Sequence, residues 1–234
     1  MSLEQVAYSH DGKALTGWLA RPQAAPRGAV LVWPTIANVT APIEHRAAML
    51  ADAGFVAMIG DFYGEPVPSF EASRPLAEAL RGDVDHYRAR LKAALDALAT
   101  HPAAAGLRLA TTGYCMGGQA ALELARMGED LVAAVSYHGV LSTARKAGDV
   151  PVRARILVCH GDADPVAPRA QVLAFWEEMD AAGANWHFHA YSGVKHGFTE
   201  PGADARGMAA LGYDASADRQ SWAATMSLFD ELFR

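Results

Sequence analysis

One glycine-rich segment, residues 113–118 with the sequence GYCMGG, constrains the fold more than any other part of the chain. It follows a β-prone run, residues 107–112, and precedes a run that favours helix. A sharp turn between a strand and a helix strains the backbone of its central residue and presses the flanking residues together. Those flanking residues must lack a Cβ, as Gly113 and Gly117 do. The sequence therefore predicts a strained turn at which the Cys115 side chain projects away from the backbone.

The predicted turn has the form of a nucleophile elbow, with a cysteine in the nucleophile's position. We expect the N-terminus of the following helix to lie beneath Cys115, where its positive end favours a thiolate over a thiol. A lone cysteine is more often a small buried apolar residue, so the six residues by themselves leave both interpretations open.

Two later loops supply an acid and a histidine. Asp164 follows an apolar strand predicted over residues 154–160, and His196 follows a strand predicted over residues 185–191. An α/β-hydrolase places its nucleophile, acid and histidine in that order, each on a loop at the carboxyl end of a different strand. Cys115, Asp164 and His196 obey this order. An imidazole is needed to accept the thiol proton, and a carboxylate is needed to orient the imidazole.

A second aspartate competes for the role of the acid. Asp162 directly follows Gly161 and is suited to bracing the turn, whereas Asp164 lies deeper in the turn, before Pro165. We therefore favour Asp164 as the acid and keep Asp162 as the alternative.

Nine histidines compete for the role of the base. His187 and His189 share one face of a strand, but no third ligand accompanies them at a spacing that a metal site would need. His138 and His160 end strands near the expected site, where a structural role is favoured. Only His196 lies on the right loop in the right order, and we expect no metal site.

Three motifs together make the chain resemble the dienelactone hydrolase family, namely GYCMGG, GDADPVAP at residues 161–168 and KHGF at residues 195–198. The cysteine in the elbow separates this family from serine esterases. The resemblance runs over nearly the whole chain. Residues 212–222 of the chain resemble a dienelactone hydrolase-like branch of the family. That branch includes promiscuous esterases, which also cleave phosphotriesters. The resemblance implies a nucleophile, an acid and a base at Cys115, Asp164 and His196.

The resemblance also implies an oxyanion hole built from two backbone N–H groups. One donor is the residue after the nucleophile, Met116, and the other is Ile36, in the loop after the strand that ends at Trp33. Two such donors converge where negative charge develops on the substrate oxygen.

Two departures from the family pattern concern the substrate. The family has a glutamate where this chain has Thr35, and an arginine shortly after the catalytic histidine, where this chain has Glu200 instead. That arginine suits a substrate that carries a carboxylate. Three other arginines in loops could take the place of the family's arginine, namely Arg74, Arg81 and Arg206. The departures favour a neutral ester or lactone.

Strands and helices alternate along the chain after an N-terminal β-hairpin, residues 4–22, that turns at residues 10–12. The expected strands are 28–33, 55–60, 107–112, 131–137, 154–160 and 185–191, and the expected helices are 42–53, 83–100, 116–127, 167–181 and 216–232. This alternation predicts an α/β-hydrolase fold, with a mainly parallel sheet flanked by helices on both faces, as a single domain over residues 1–234.

Two long segments, residues 64–82 and 197–214, break this alternation with prolines and glycines and are expected to be irregular. We expect both to form walls of a substrate pocket, with a packed surface meander as the alternative. The candidate pocket residues are Trp33, Thr35, Tyr63, Tyr137, Phe198 and Glu200.

Composition narrows the function classes. A net charge of −6 without a basic cluster argues against nucleic-acid binding. No apolar run reaches the length of a membrane span, and no signal peptide is evident, so we expect a cytoplasmic protein. The chain has two cysteines, and Cys159 lies within an apolar strand, which argues against disulfides. No cofactor motif is present.

The sequence thus predicts an enzyme that acts on a small-molecule ester or lactone through a covalent thioester, with phosphotriester cleavage as a candidate side activity. The alternative is a protein that binds ligands or senses redox state through Cys115 without turnover, because an exposed thiol of low pKa is open to reversible oxidation. A sensor has no need for His196 and Asp164.

Overall fold

The structure, a computed structural model, describes residues 3–234. It confirms an α/β fold with an eight-stranded, mostly parallel sheet, and it shows six α-helices in the described residues. By its contacts the chain divides into two compact units, which we call the first unit, up to Thr111, and the second unit, from Thr112 onward. That residues 1–234 act as a single domain stays a prediction.

The first unit begins with a β-hairpin and continues with parallel strands. Its elements are β1 (Glu4–His10), β2 (Lys13–Ala20), β3 (Gly28–Trp33), α1 (Ala41–Asp52), β4 (Phe55–Ile59), α2 (Phe70–Gly82) and α3 (Val84–Thr100). The strand order is β1-β2-β4-β3, in which β2 is antiparallel to β1 and β4, and β3 is parallel to β4. Every residue of β3 and β4 is buried, as expected for parallel strands inside a sheet.

The second unit carries most of the predicted site residues. Strand β5 (Leu109–Tyr114) begins in the first unit and ends in the second. The elements that follow it are α4 (Met116–Arg126), β6 (Ala133–Tyr137), β7 (Arg155–Gly161), α5 (Arg169–Ala181), β8 (Trp186–Tyr191), a 3₁₀ turn (Asp204–Arg206) and α6 (Ala215–Leu232). Strands β6, β7 and β8 are parallel neighbours, with Tyr137 opposite Cys159 and Gly161 opposite Tyr191. The carboxyl ends of these strands therefore lie along one edge of the sheet.

The prediction that residues 64–82 are irregular is wrong from Phe70 onward, because α2 occupies that stretch. The Ser69 hydroxyl accepts a hydrogen bond from the Ala72 N–H at 3.2 Å and so caps the helix. Pro75 lies inside α2, where it removes one N–H donor, yet the surrounding Glu, Ala, Leu and Arg residues favour helix. The second segment, 197–214, is irregular as predicted, apart from the short 3₁₀ turn and an isolated β-bridge between Leu211 and His196.

The turn between β5 and α4 has no room for a side chain on Gly113 or on Gly118. A Cβ on Gly113 would overlap the backbone carbonyl of Gly117, which no side-chain rotation can relieve. A Cβ on Gly118 would lie 2.7 Å from the Cα of Gly139, so this glycine is needed for a second close approach. At the centre of the turn Cys115 has φ 57° and ψ −119°.

We expect Gly113→Ala to lower the free energy of unfolding by at least about 3 kcal/mol, because the added methyl meets backbone rather than a movable side chain. Urea unfolding followed by circular dichroism measures this. Gly202→Ala is the matched control, since nothing lies within 4 Å of a Cβ there. Equal stability of the two variants would contradict the packing described for the turn.

Candidate active site

Cys115 lies at the junction of β5 and α4, with a half-buried side chain. Its backbone N–H donates to the carbonyl of Tyr137 at 3.1 Å and to Nδ1 of His138 at 3.2 Å. Its carbonyl accepts from the N–H groups of Gly118 and Gln119 in the first turn of α4. A positive φ is rare for a residue other than glycine, and such strained residues concentrate at functional sites.

His196 and Asp164 lie on two neighbouring loops and contact each other directly. Nδ1 of His196 is 2.7 Å from Oδ2 of Asp164, and both side chains are buried. The other carboxylate oxygen accepts from the Val166 N–H at 2.7 Å, so the acid cannot rotate freely. The backbone of His196 bonds to Ala210 and Gly212, which holds its loop.

Asp162, the alternative acid, points elsewhere. It forms an ion pair with Arg169, whose Nη2 lies 2.6 Å from Oδ2. This pair is at the surface, and Arg169 lowers the pKa of the Asp162 carboxyl through its hydrogen bond. Of the two aspartates that the sequence offers, the structure brings Asp164 to His196.

The charge of His196 depends on its two neighbours. Burial by itself lowers the pKa of the imidazole, but the negative charge of Cys115 and the hydrogen bond to Asp164 raise it to about 10. Cys115 and Asp164 therefore both favour the protonated form of His196. The arrangement thus places a histidine that favours its cationic form beside both a cysteine and a carboxylate.

His138 is a residue that sequence reasoning left in a structural role. Its Nε2 lies 2.8 Å from the Thr199 hydroxyl, and its ring packs edge-on against His196, with 5.1 Å between centroids. Its φ is 39°, again in the left-handed region. The only sequence signal was its position, one residue beyond a strand that ends near the site.

Two of the predicted pocket residues in the second unit belong to the core. Tyr137 is 1% exposed, stacks on Tyr114 and shares a hydrogen bond with Thr225, and Phe198 is fully buried against His138. An aromatic ring at a strand end gains more by complete burial than by lining an open surface. The pocket expectation is therefore corrected to core packing for these two rings.

Glu200 does not present an isolated negative charge. Its carboxylate accepts from Nη2 of Arg206 at 2.6 Å, and Glu200 is largely buried. Arg206, a candidate replacement for the family's arginine, is thus already paired with an acid. The two charges compensate each other, and Arg206 is one of the three arginines that the sequence offered as candidates.

In the first unit the loop after β3 is held by hydrogen bonds. The Tyr63 hydroxyl donates to the Ile36 carbonyl at 3.0 Å, and the Thr35 hydroxyl accepts from the Ala37 N–H at 3.3 Å. Tyr63 is 4% exposed and Trp33 is fully buried, where its indole stacks on Phe62. These two rings also pack in the core, and Tyr63 fixes the orientation of the Ile36 peptide.

Met116, the other predicted oxyanion donor, is the first residue of α4 and is 1% exposed. The backbone N–H groups in the first turn of a helix point out of its N-terminal end, where they favour negative charge. The side chain of Met116 is packed in the interior, so only its backbone could serve the predicted role.

Residues 3–234 include no group of three or more His, Cys, Asp and Glu side chains that could hold a metal ion. The helices in this range also include none whose length and hydropathy would allow it to cross a membrane.

Comparison with known proteins identifies relatives of the whole chain. The model of the "Dienelactone hydrolase family" matches residues 15–233. A "Probable 2-oxo-3-(5-oxofuran-2-ylidene)propanoate lactonase" from Bradyrhizobium is 30% identical over 220 residues, covering 88% of this chain and 87% of that protein.

Solved structures agree with this family match. A dienelactone hydrolase-like promiscuous phosphotriesterase from metagenomic libraries superposes with a TM-score of 0.92 at 33% identity, covering 99% of this chain and 98% of the other. An α/β hydrolase enzyme from a Medee basin deep-sea metagenome library has a TM-score of 0.67 at 17% identity, covering 99% and 98% of the chains, and it supports the fold alone.

The charge of His196 can be tested by NMR titration of its imidazole. We expect a protonated ring at pH 8 that loses its proton only near pH 10, because Cys115 and Asp164 favour the cation. In Cys115→Ala one source of negative charge is gone, so the pKa of His196 should fall. Cys159→Ala, which alters only the buried second cysteine, should leave it unchanged. Equal His196 titration in wild type and Cys115→Ala would contradict the proposed charge pairing.

Proposed function

The chain belongs to the dienelactone hydrolase family and is a hydrolase, and we propose that it cleaves neutral activated esters or lactones with Cys115 as nucleophile. The observation that carries this proposal is the 2.7 Å hydrogen bond between His196 and Asp164, together with the charge interaction between His196 and the strained Cys115. Acyl transfer requires this arrangement, in which a nucleophile lies next to a base and an acid orients that base.

In the proposed first step the Cys115 thiolate attacks the substrate carbonyl carbon. A carbon–sulfur bond forms, and the carbonyl electron pair moves onto oxygen. When the tetrahedral intermediate collapses, the bond to the leaving oxygen breaks and His196 gives its proton to that oxygen. The products are an alcohol, or the opened end of a lactone, and a thioester on Cys115.

In the second step neutral His196 accepts a proton from water, and the resulting hydroxide attacks the thioester. The carbon–sulfur bond breaks, the carboxylic acid leaves, and the Cys115 thiolate and the His196 imidazolium are restored. Asp164 keeps Nε2 of His196 directed towards the reaction in both steps, because its hydrogen bond occupies Nδ1.

We assign the stabilisation of the oxyanion to the backbone N–H groups of Met116 and Ile36, following the family resemblance. The position of Met116 at the start of α4 supports the first assignment. The hydrogen bond from Tyr63 to the Ile36 carbonyl supports the second, since it fixes the plane of the peptide next to that N–H.

The preference for neutral substrates rests on Thr35 and on the pair of Glu200 with Arg206. Neither Thr35 nor the Glu200–Arg206 pair supplies a net positive charge that would bind a carboxylate on the substrate. The name of the Bradyrhizobium lactonase supports lactones as substrates, but its own substrate is a propanoate, so the preference for neutral ones does not come from this relative. The name of the metagenomic phosphotriesterase supports phosphotriesters as a side activity. A cytoplasmic location stays a prediction.

A redox sensor based on Cys115 is the second candidate, and the half-exposure of the thiol is what favours it. The second cysteine, Cys159, argues against a sensor that forms a disulfide. Cys159 is fully buried, and burial raises the pKa of its thiol to about 12, so it is a poor resolving thiol. A stoichiometric sensor would stop after one equivalent of ester.

We expect wild-type protein to hydrolyse p-nitrophenyl esters for many turnovers per molecule, and Cys115→Ala to lose at least about a thousandfold in kcat/KM. Cys115 supplies chemistry rather than core volume, so circular dichroism and Tm should change little. Cys159→Ala is the matched control and should retain turnover. Substantial turnover by Cys115→Ala would remove Cys115 from the nucleophile's role, and a single-equivalent burst would favour the sensor.

We expect wild type to have a higher kcat/KM for a neutral ester than for a matched ester that carries a carboxylate. Glu200→Gln should narrow this preference by about threefold, because it releases the Arg206 guanidinium from its acid partner. Glu177→Gln, an equal change of charge at an exposed position on α5, should leave the preference unchanged. A wild-type preference for the carboxylated ester would contradict the proposed substrate class.

A further inference from the structure

His138 joins the two loops that carry the proposed nucleophile and base. On one side its Nδ1 lies 3.2 Å from the backbone nitrogen of Cys115. On the other side its Nε2 lies 2.8 Å from the hydroxyl of Thr199, three residues beyond His196. Both His138 and Thr199 are buried, at 0% and 2% exposure.

These contacts fix the tautomer of His138. An amide N–H can only donate, so Nδ1 of His138 must be the acceptor and therefore carries no proton. In a neutral imidazole the proton is then on Nε2, which donates to the Thr199 hydroxyl. The same ring packs edge-on against His196, with 5.1 Å between the centroids.

The backbone around His138 is built to bring the ring to this position. His138 has φ 39°, and histidine is among the few residue types enriched in the left-handed region. The next residue, Gly139, packs against Gly118 in α4, where a Cβ would lie 2.9 Å from the Gly118 carbonyl carbon. The N–H of His138 donates to the Cys159 carbonyl at 2.8 Å, which anchors the turn to β7.

We propose that His138 is a positioning residue, which holds the amide of Cys115 through Nδ1 and ties it to the His196 loop through Thr199. The inference rests on the proposed function for its catalytic consequence. Cys115 must keep a positive φ for its sulfur to remain in place. Without the His138 ring, the Tyr137 carbonyl would be the one acceptor left for the Cys115 N–H among the contacts described above. Misplacement of a reacting atom by about 1 Å is enough to lower a rate about a hundredfold.

Asparagine distinguishes this role from simple packing. Its Oδ1 can replace Nδ1 of histidine as an acceptor, and asparagine also tolerates a positive φ, yet it fills less volume than histidine. Positioning therefore predicts that His138→Asn keeps much of the function that His138→Ala loses. Filling of the core predicts that both small residues fail together.

The experiment measures two rates for each variant, the turnover of a p-nitrophenyl ester and the alkylation of Cys115 by iodoacetamide, followed by mass spectrometry. His138→Ala should lower kcat about tenfold or more with KM changed less than about threefold, and His138→Asn should stay within about threefold of wild-type kcat. Alkylation should fall and recover in the same order. Thr199→Val, which removes only the hydroxyl partner, should lower both rates by a smaller factor. His187→Ala, at an exposed position on β8, is the matched control.

Three results would overturn the inference. These are His138→Ala rates within about twofold of wild type, an equal loss in His138→Asn and His138→Ala, or, should His138→Ala not fold, unchanged rates in Thr199→Val. Failure of the proposed function is distinguished by the wild-type protein itself. If wild type lacks turnover while alkylation still follows the expected order, the positioning role stands and the hydrolytic assignment falls.

Discussion

The close approach of Gly113 to Gly117 is the constraint on which the site depends. Because a Cβ on Gly113 would overlap the backbone of Gly117, the two residues can approach only with a glycine at 113, and β5 passes into α4 through Cys115 alone, at φ 57°. The Cys115 side chain therefore leaves the backbone at the start of a helix. The neighbouring contact between Gly118 and Gly139 brings the end of β6 against the same turn. These two backbone contacts thus place the proposed nucleophile and the strand end that supports it.

Charge compensation explains how ionisable groups can be buried beside this turn. His196 lies between the Cys115 side chain and the Asp164 carboxylate, so the cation is offset on both sides and its pKa is raised. The Val166 N–H satisfies the second oxygen of Asp164. Removing Asp164 would leave His196 without its buried partner, which is costly in a protein interior. In the proposed mechanism the three groups act as a unit, so we expect that their individual contributions to catalysis are not additive.

The sequence allowed prediction of features that depend on local spacing, and it failed where tertiary packing decides. The elbow and the alternation of strands and helices depend on the positions of glycines and on apolar runs. Both patterns can be recognised in one amino-acid sequence. Helix α2 was missed because the prolines of that segment outweighed its helix-favouring residues, although Ser69 caps it and Pro75 is tolerated inside it. The contacts of His138 and the pairing of Glu200 with Arg206 join residues whose relation no spacing rule predicts.

The central claim, a covalent thioester on Cys115, is tested most directly by trapping the intermediate. Wild-type protein is mixed with a slowly deacylating aryl ester, quenched in acid at early times, digested and examined by mass spectrometry. The account predicts that the peptide containing Cys115 gains the mass of the acyl group in the time before steady state and loses it as substrate is exhausted. The peptide containing Cys159 should remain unmodified. Turnover without any acyl mass on Cys115, or acyl mass on a different residue that forms and decays at the rate of turnover, would contradict the account.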